Sequence, residues 1–457
     1  MIRFLNVYYP ARTLILMAVD TLIVWASFLL ATWYAFGRDS YLVRNVEYGR
    51  VTIVVYILAA LLLCHYFDLY DTSRLITEGD WYFRVLLVPG LMALVLALVA
   101  MFWPKTLLGH YSSLIGLVML TVGLLGWRMS FCWLVRLTIL IERVYVLGMG
   151  ARAQRLVQGL RQNSAIGVEV ASWTGELEGA VTRDSVAAHL LETIHKQRVR
   201  RVIIAMPERR GAIPVNELFN LWVHGVKIEE ATSWLEKTSG KIEVENLYPS
   251  WLMFSGGLPL KDATRWLRRF LDFVVAVLTL MVAALFVPFI ALAIRLDSSG
   301  SVFYRQKRVG RGERIFYCYK FRTMHQDSEA NTGPTSADNG DPRITRVGRF
   351  LRISRLAEIP QLWCVLKGDM AFVGPRPECP EFVEWLKKEI PYYGMRHLVR
   401  PGITGWAQIK YGHHSTVEDL REELQYDLFY MKNASIGLDL LIMLRTIKMV
   451  LLLRGEH

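Results

Sequence analysis

The chain has 457 residues, 53% of them hydrophobic, with a mean hydropathy of +0.28 and a net charge of +12. Roughly 150 residues per domain allows about three domains, and the apolar excess excludes an ordinary soluble enzyme and points to a membrane protein. The charge suits anionic lipid or phosphorylated substrates and by itself also admits nucleic acid, whereas five scattered cysteines with no CxxC pair indicate neither a disulfide framework nor a zinc site.

Four apolar runs of near-spanning length come first: Thr13–Phe36, Val51–Phe67, Val85–Trp103 and Ser113–Leu134. The first is too long for a cleaved signal peptide, and no small-residue cleavage site ends its apolar core. Trp33, Tyr34, Tyr66, Tyr70, Trp81, Trp103 and Tyr111 sit near run ends, as interfacial aromatics do. Asp20 and Arg128 lie inside or near the ends of spans, where a charge is costly; a functional site and a pairing between helices are both open. Arg38, Arg44 and Arg50 in the first loop rival Arg3 and Arg12. The basic region that begins at Arg136 and Arg143 therefore orients the spans and puts both ends in the cytoplasm.

From Arg143 the pattern changes. Arg143–Leu147 reads as a buried strand, Gly148-Met149-Gly150 as a tight turn and Ala151–Gln162 as a helix, with Ala153 closing a GxGxxA pattern. Val168–Trp173 and Arg201–Ala205 are further strands around a helix at Ser185–Gln197, and this alternation predicts a parallel sheet. The turn could hold a dinucleotide phosphate. The acidic residue that such a site needs is badly placed, however, with Glu169 ahead of the strand end, so a structural or regulatory module is the better reading.

Lys261–Arg269 is basic and amphipathic, and the apolar run Phe270–Leu296 after it is interrupted by Pro288. A proline-kinked span and a helix that breaks and returns to the same face both fit. Arg265, Arg268 and Arg269 are placed to snorkel to headgroups. From Phe303 to Arg355 there are twelve Lys/Arg against five Asp/Glu, an excess that calls for an anionic partner. Gln326–Gly340 reads as a polar loop. Arg343, Arg346, Arg349, Arg352 and Arg355 recur every three residues, which on one helix makes a basic face suited to phosphates. Glu358 follows, and Gly374-Pro375-Arg376-Pro377 holds an arginine on a rigid backbone.

The stretch GRFLRISRLAEIPQLWCVLKGDMAFVGPRP resembles the core of the bacterial sugar transferases, the monotopic polyprenyl-phosphate phosphoglycosyl transferases. So do SVFYRQKRVGRGERIFYCYKFRTM, RPGITGWAQ at Arg400–Gln408 and YDLFYMKN at Tyr426–Asn433. The likeness is tight from Arg265 to about Arg454 and architectural before that. It implies a membrane protein with three parts: a four-helix transmembrane bundle (1–138), a Rossmann-like α/β module (139–255), and an α+β catalytic module (256–457). The last would hold a re-entrant helix at 268–296, broken at Pro288, where relatives often have Ser-Pro and this chain has Val287-Pro288.

The implied activity is transfer of sugar-1-phosphate from a UDP-sugar to polyprenyl phosphate with release of UMP, on the cytoplasmic face of the bacterial inner membrane. No nucleic acid is involved, inner-membrane lipids are partners, and a homo-oligomer is left open. By position Glu358 would bind Mg²⁺, and Lys320, Arg352 and Arg376 would contact phosphates, with Arg322, Arg400 and Gln408 as further candidates. The family's nucleophilic aspartate falls at Ala357, Cys364 replaces an asparagine and Ala371 a serine. A methyl group cannot attack phosphorus, so the chain as written is expected to be inactive. Two other classes fit the residues: a non-catalytic membrane scaffold that binds lipid phosphate or UDP-sugar, and a redox or sensory protein built on the glycine turn.

Overall fold

The computed structural model describes residues 2–4, 7–9, 11–37, 49–72, 75, 79–102, 110–136, 142–162, 167–176, 182–206, 213–244, 262–325, 341, 343–411 and 416–451. Arg38, Arg44, Trp103, Lys261, the loop 326–340 and the expected boundaries at 138/139 and 255/256 lie outside the described residues. Contacts divide the chain into two compact units, one chiefly Tyr8–Trp234 and the other chiefly Leu235–His457.

The first unit opens with four apolar helices, α1 (Ala11–Phe36), α2 (Gly49–Tyr66), α3 (Trp81–Phe102) and α4 (His110–Arg136). Helices α1, α3 and α4 are long and apolar enough to cross a membrane, whereas the apolar part of α2, Val51–Tyr66, is shorter. The run Val51–Phe67 stops early because Asp68 turns left-handed (φ 57°) and Leu69 N–H closes back on the Cys64 carbonyl at 3.0 Å. Leu16, Phe28, Tyr56, Cys64, Met92 and Leu124 share one buried cluster. Asp20 and Arg128 meet inside it as a bidentate pair at 2.7 and 2.9 Å, both side chains sequestered, so each charge is answered within the protein. Pairing between helices, one of the two readings open in the sequence, is what the fold contains.

The same unit continues with β1 (Glu142–Leu147), α5 (Ala151–Gln162), β2 (Val168–Trp173), α6 (Arg183–Gln197), β3 (Arg201–Ile204), α7 (Val215–Val223) and β4 (Lys227–Glu230). The strands form a fully parallel sheet in the order β2-β1-β3-β4, as the alternation predicts. Gly148 has a packing reason to be glycine: a Cβ there would lie 2.8 Å from the Ala205 carbonyl oxygen. Its N–H already donates to Thr174 Oγ1 at 3.2 Å, and Glu169 pairs with Arg143 at the surface. Packing thus accounts for the glycine at 148.

Helix α8 (Ala231–Ser239) runs across the division between the units. The second unit is built on α9 (Asp262–Ala284) and α10 (Val287–Asp297), bent by 60° at the break before Pro288. No hydroxyl is needed at this break, because Leu285 and Phe286 N–H donate three residues back, to Val282 and Ala283 carbonyls, at 3.3 and 2.8 Å. Phe270, Phe273, Met281, Leu285, Phe289 and Leu296 are all exposed along the bent pair.

Strands β5 (Phe303–Val309) and β6 (Ile315–Phe321) then make an antiparallel hairpin. Helices α11 (Arg346–Ile353) and α12 (Leu362–Lys367) follow, flanking a 3₁₀ turn at Leu356–Gln361. The remaining elements are β7 (Ala371–Val373), α13 (Pro380–Glu389), β8 (Gly402–Thr404), α14 (Trp406–Lys410), α15 (Val417–Asn433) and α16 (Ile436–Leu451). Strands β7 and β8 pair in parallel.

Candidate active site

The polar cluster begins with strand alternation. Phe316, Cys318 and Lys320 share one face of β6, so Lys320 is carried inward beside a buried phenylalanine and a buried thiol. Desolvation pushes its ammonium below the ordinary lysine value of 10.5, and the nearby Arg376 and Arg308 push it the same way, against the pull of Glu358.

Glu358 is presented by the 3₁₀ turn that starts after Arg355, a left-handed residue with φ 56°. Its carboxylate accepts from Arg376 Nη1 at 3.4 Å, with each side chain about 15% exposed. Ala357 sits next to it, buried among Ile294, Phe321 and Leu351. Position 357 therefore lies where the end of α10, the end of β6 and α11 converge. A carboxylate there would be flanked by apolar groups.

Arg376 owes its position to two sequence motifs that pair. Gly374 N–H donates to the Thr404 carbonyl and Gly402 N–H to the Pro375 carbonyl, both at 2.9 Å. A Cβ on Gly374 would meet the Arg400 carbonyl at 2.4 Å, and one on Gly402 would meet Gly374 N at 2.1 Å, so neither position accepts a side chain. Behind the loop, Arg308 donates to the Pro377 carbonyl at 2.7 Å and Arg396 to the Arg376 carbonyl at 3.2 Å. Arg396 is itself fixed by Glu423 and Asp427 at 3.0 and 2.8 Å. Burial pushes the Asp427 carboxyl up to about 7, against the pull of Arg396. Tyr430 Oη donates to the Val373 carbonyl at 3.1 Å. The Tyr426–Asn433 motif is thus a brace for the Arg376 loop, and no pattern in the sequence marked Arg308 or Arg396 for this work.

Lys320, Glu358 and Arg376 are together, with Arg308 beside them. Other candidates are elsewhere. The five-arginine face does not exist as one helix: α11 carries only Arg346, Arg349 and Arg352, Arg343 is tied to Asp341, and Arg355 is outside the helix. Arg352 acts on Asp341, whose carboxyl is held at about 2 chiefly by Arg343. Arg322 caps the end of α10 by donating to the Ser298 and Ser299 carbonyls at 2.6 and 2.8 Å, which uses the fork that a phosphate would need. Arg268 and Arg269 do not reach outward either: Arg268 pairs with Asp439 at 2.6 Å, and Arg269 donates to the Val365 and Leu366 carbonyls at 2.6 and 2.8 Å.

Gln408 is buried with neither amide atom hydrogen-bonded among the described residues. Arg400 lines a cleft with Arg269, Asp272 and Arg311 whose lining includes none of Lys320, Glu358 and Arg376. Cys364 donates its thiol to the Tyr317 carbonyl at 3.4 Å, and Ala371 opens β7. No group of three metal-ligating side chains occurs among the described residues. Glu358 offers a carboxylate here, and Glu378 a second one 3.2 Å from Arg308, so a Mg²⁺ held by Glu358 would need phosphate oxygens to complete its shell.

A membrane-associated chain whose glycine-paired motifs hold a lysine, a glutamate and an arginine together has the parts of a phosphoryl-group transferase. Residues 263–453 match the family model described as bacterial sugar transferase, and the chain belongs to that family. It is 41% identical over 216 residues to a UDP-N-acetylgalactosamine-undecaprenyl-phosphate N-acetylgalactosaminephosphotransferase of Aeromonas hydrophila, a match covering 47% of this chain and 50% of that one. The chain thus spans about half the length of that relative. It is 29% identical to a UDP-glucose:undecaprenyl-phosphate glucose-1-phosphate transferase of Xanthomonas campestris pv. campestris, over 98% of this chain and 96% of that one. With a protein of the same description from Caulobacter vibrioides it shares 42% identity over 40% of this chain and 69% of the relative.

The shifted lysine gives a pH prediction. Lys320 must be protonated to attract an anion, and its pKa is below 10.5, so it loses charge sooner than an ordinary lysine as pH rises. UDP affinity, measured by titration calorimetry, is expected to fall on the alkaline side beginning below pH 10.5, and Lys320→Arg is expected to flatten that fall. An identical alkaline profile in both proteins would remove Lys320 from the anion site.

Proposed function

We propose that this site is built to transfer sugar-1-phosphate from a UDP-sugar to undecaprenyl phosphate, with release of UMP, as the printed names of the relatives describe for them. The observation that carries this is the cluster of Lys320, Glu358 and Arg376 set against the buried position 357. Arg376 and Lys320 would neutralise the donor pyrophosphate. Glu358 would hold a Mg²⁺ that arrives with it; when bound, the ion supplies charge neutralisation at the phosphates.

In the covalent route a carboxylate at 357 attacks the β-phosphorus, the bond to the UMP oxygen breaks, and the lipid phosphate then displaces the carboxylate. Ala357 has no atom to do this. Glu358 is a poor replacement, because its carboxylate faces Arg376. The chain as written then binds the donor and stops, which also fits the second reading, a scaffold of polysaccharide assembly that binds substrate without turnover. Ala357→Asp is expected to release UMP from a panel of UDP-sugars in a Mg²⁺-dependent way, several powers of ten above the parent. Equal turnover in both proteins would sink the covalent assignment.

The membrane reading belongs here as well. Helices α1–α4 form a four-helix transmembrane bundle, the parallel-sheet module is structural or regulatory, and α9–α10 enters one leaflet and returns. The 60° bend and the exposed apolar side chains along both arms support re-entry. A full span would instead part Lys320 from cytoplasmic nucleotide sugars at the bacterial inner membrane. In sealed vesicles, an impermeant maleimide should reach Trp266→Cys and Lys307→Cys from the same side; labelling from opposite sides would make α9–α10 a span.

A further inference from the structure

In the first unit, the strands of the parallel sheet all start at one edge, and two helices end there. Arg143, near the start of β1, donates from its side chain to the Gln197 carbonyl at the end of α6 at 3.2 Å. Along the same edge Arg200 N–H donates to the Arg143 carbonyl and Lys227 N–H to the Arg200 carbonyl, at 3.1 and 3.0 Å. Helix α7 ends beside them, because Val226 N–H returns to the Leu221 carbonyl just before β4 begins. Leu218 and Leu221 of α7 join Val186 and Leu190 of α6 in one buried cluster, so both helices cover the same face of the sheet. That leaves Phe219, Trp222 and Val223, spaced i, i+3 and i+4, on the outer side of α7, and they are 60, 61 and 62% exposed. The Phe219 and Trp222 ring centroids are 5.9 Å apart, which makes one continuous apolar patch.

The charges of this edge are unbalanced. Glu142 and Glu229 pair with Arg201, Glu169 with Arg143 and Glu192 with Lys196, so these carboxylates are already answered. The side chains of Arg198, Arg200 and Lys227 are exposed and have no hydrogen-bond or ion-pair partner among the described residues. The place of the edge says what lies opposite it. Helix α4 ends at Arg136 and β1 starts at Glu142, six backbone steps on, which reach at most about 22 Å. Arg12, in the first turn of α1, packs against Gly167, where a Cβ would meet its guanidinium carbon at 2.6 Å, and Glu142 N–H donates to the Gly167 carbonyl at 2.9 Å. The strand-start edge is therefore the one next to the ends of α1 and α4. Tryptophan and phenylalanine settle at headgroup level, and arginine and lysine are drawn to anionic headgroups. A second copy of the chain fits less well, because three large apolar side chains fall far short of the roughly 20–30 residues a side of a stable interface. We infer that this edge of the sheet module rests on the anionic surface of the bilayer, with Phe219, Trp222 and Val223 at headgroup level and Arg198, Arg200 and Lys227 facing the headgroup charge. The inference rests on α1–α4 being transmembrane and uses nothing from the donor site.

The test uses the full chain in nanodiscs of phosphatidylcholine, alone or equimolar with phosphatidylglycerol, that carry a lipid with a nitroxide on its headgroup. A thiol-reactive fluorophore is placed at Val223→Cys on the patch, at Met149→Cys on the opposite edge of the sheet, and at Val118→Cys on the outer side of α4; all three positions are exposed. The parent, carried through the same labelling, gives the background from its own cysteines. In the mixed discs the nitroxide is expected to quench the label at 223 at least about threefold more than the label at 149. Arg200→Glu/Lys227→Glu, two exposed positions whose exchange empties no core, should bring the label at 223 to within about twofold of that at 149, as should discs without phosphatidylglycerol.

Equal quenching at 223 and 149 in the mixed discs overturns the docking. Quenching at 223 that ignores both the charge reversal and the lipid composition overturns the anionic surface as the occupant. A label at 223 that is shielded from aqueous iodide yet not quenched by the lipid marks a second copy of the chain on the patch and overturns the inference as well. The label at Val118 reads the underlying membrane reading separately: a nitroxide on the acyl chain should quench it whether or not the sheet module docks, and its failure to do so removes the transmembrane bundle and this inference with it.

Discussion

The backbone contact between Gly374 and Gly402 is the constraint on which the second unit depends. It can form only because both residues lack a Cβ, and it locks β7 to β8 in parallel register. From that contact the chain runs to Arg376 in one direction and back to Arg400 in the other, so one pairing positions both arginines. Arg308, Arg396 and Tyr430 then hold the loop by its carbonyls, leaving the Arg376 guanidinium to face Glu358. A parallel pair this short gains little by itself; its stability comes from those side-chain donors and from the buried Arg396–Glu423–Asp427 group.

The bent helix pair is fixed to the rest of the unit by charged side chains turned inward. Arg322 caps α10, Asp297 accepts from Val347 N–H at 2.9 Å, and Asp272 accepts from Phe372 N–H at 3.0 Å. Arg269 satisfies carbonyls at the end of α12, and Arg268 joins Asp439 and Tyr430. An apolar element that presents large side chains outward cannot be held by hydrophobic packing on all sides. Hydrogen bonds to backbone groups give it a defined angle instead.

Much of this was legible in the sequence, for physical reasons that differ by region. Apolar length marked α1, α3 and α4, and the alternation of buried strands with helices marked the parallel sheet. The family motifs marked Lys320, Glu358 and Arg376, which the structure brings together. What the sequence could not show was the partner of each arginine. A guanidinium that binds a carbonyl and one that binds a phosphate are the same letter, so Arg322 and Arg269 read as ligand contacts or snorkels until their acceptors were visible. The three-residue spacing of Arg343–Arg355 implied one helical face, but the Asp341 pair at one end and the left-handed Arg355 at the other confine the helix to Arg346–Ile353. Gly148 read as part of a glycine turn, and the structure adds a packing constraint there, the approach of Ala205.

Position 357 carries a buried methyl group, and on the proposed covalent route that makes the chain a suitable background for equilibrium binding of the donor. The account rests on Arg376, and not the arginine row, being the phosphate contact. The most direct measurement is UDP affinity in Arg376→Ala and Arg352→Ala. Loss of a charge-assisted hydrogen bond of about 1.5–3 kcal/mol should weaken Arg376→Ala by roughly ten- to a hundredfold, while Arg352→Ala, beside Asp341, should stay within about twofold. A parent-like affinity in Arg376→Ala, or an equal loss in Arg352→Ala, would contradict it.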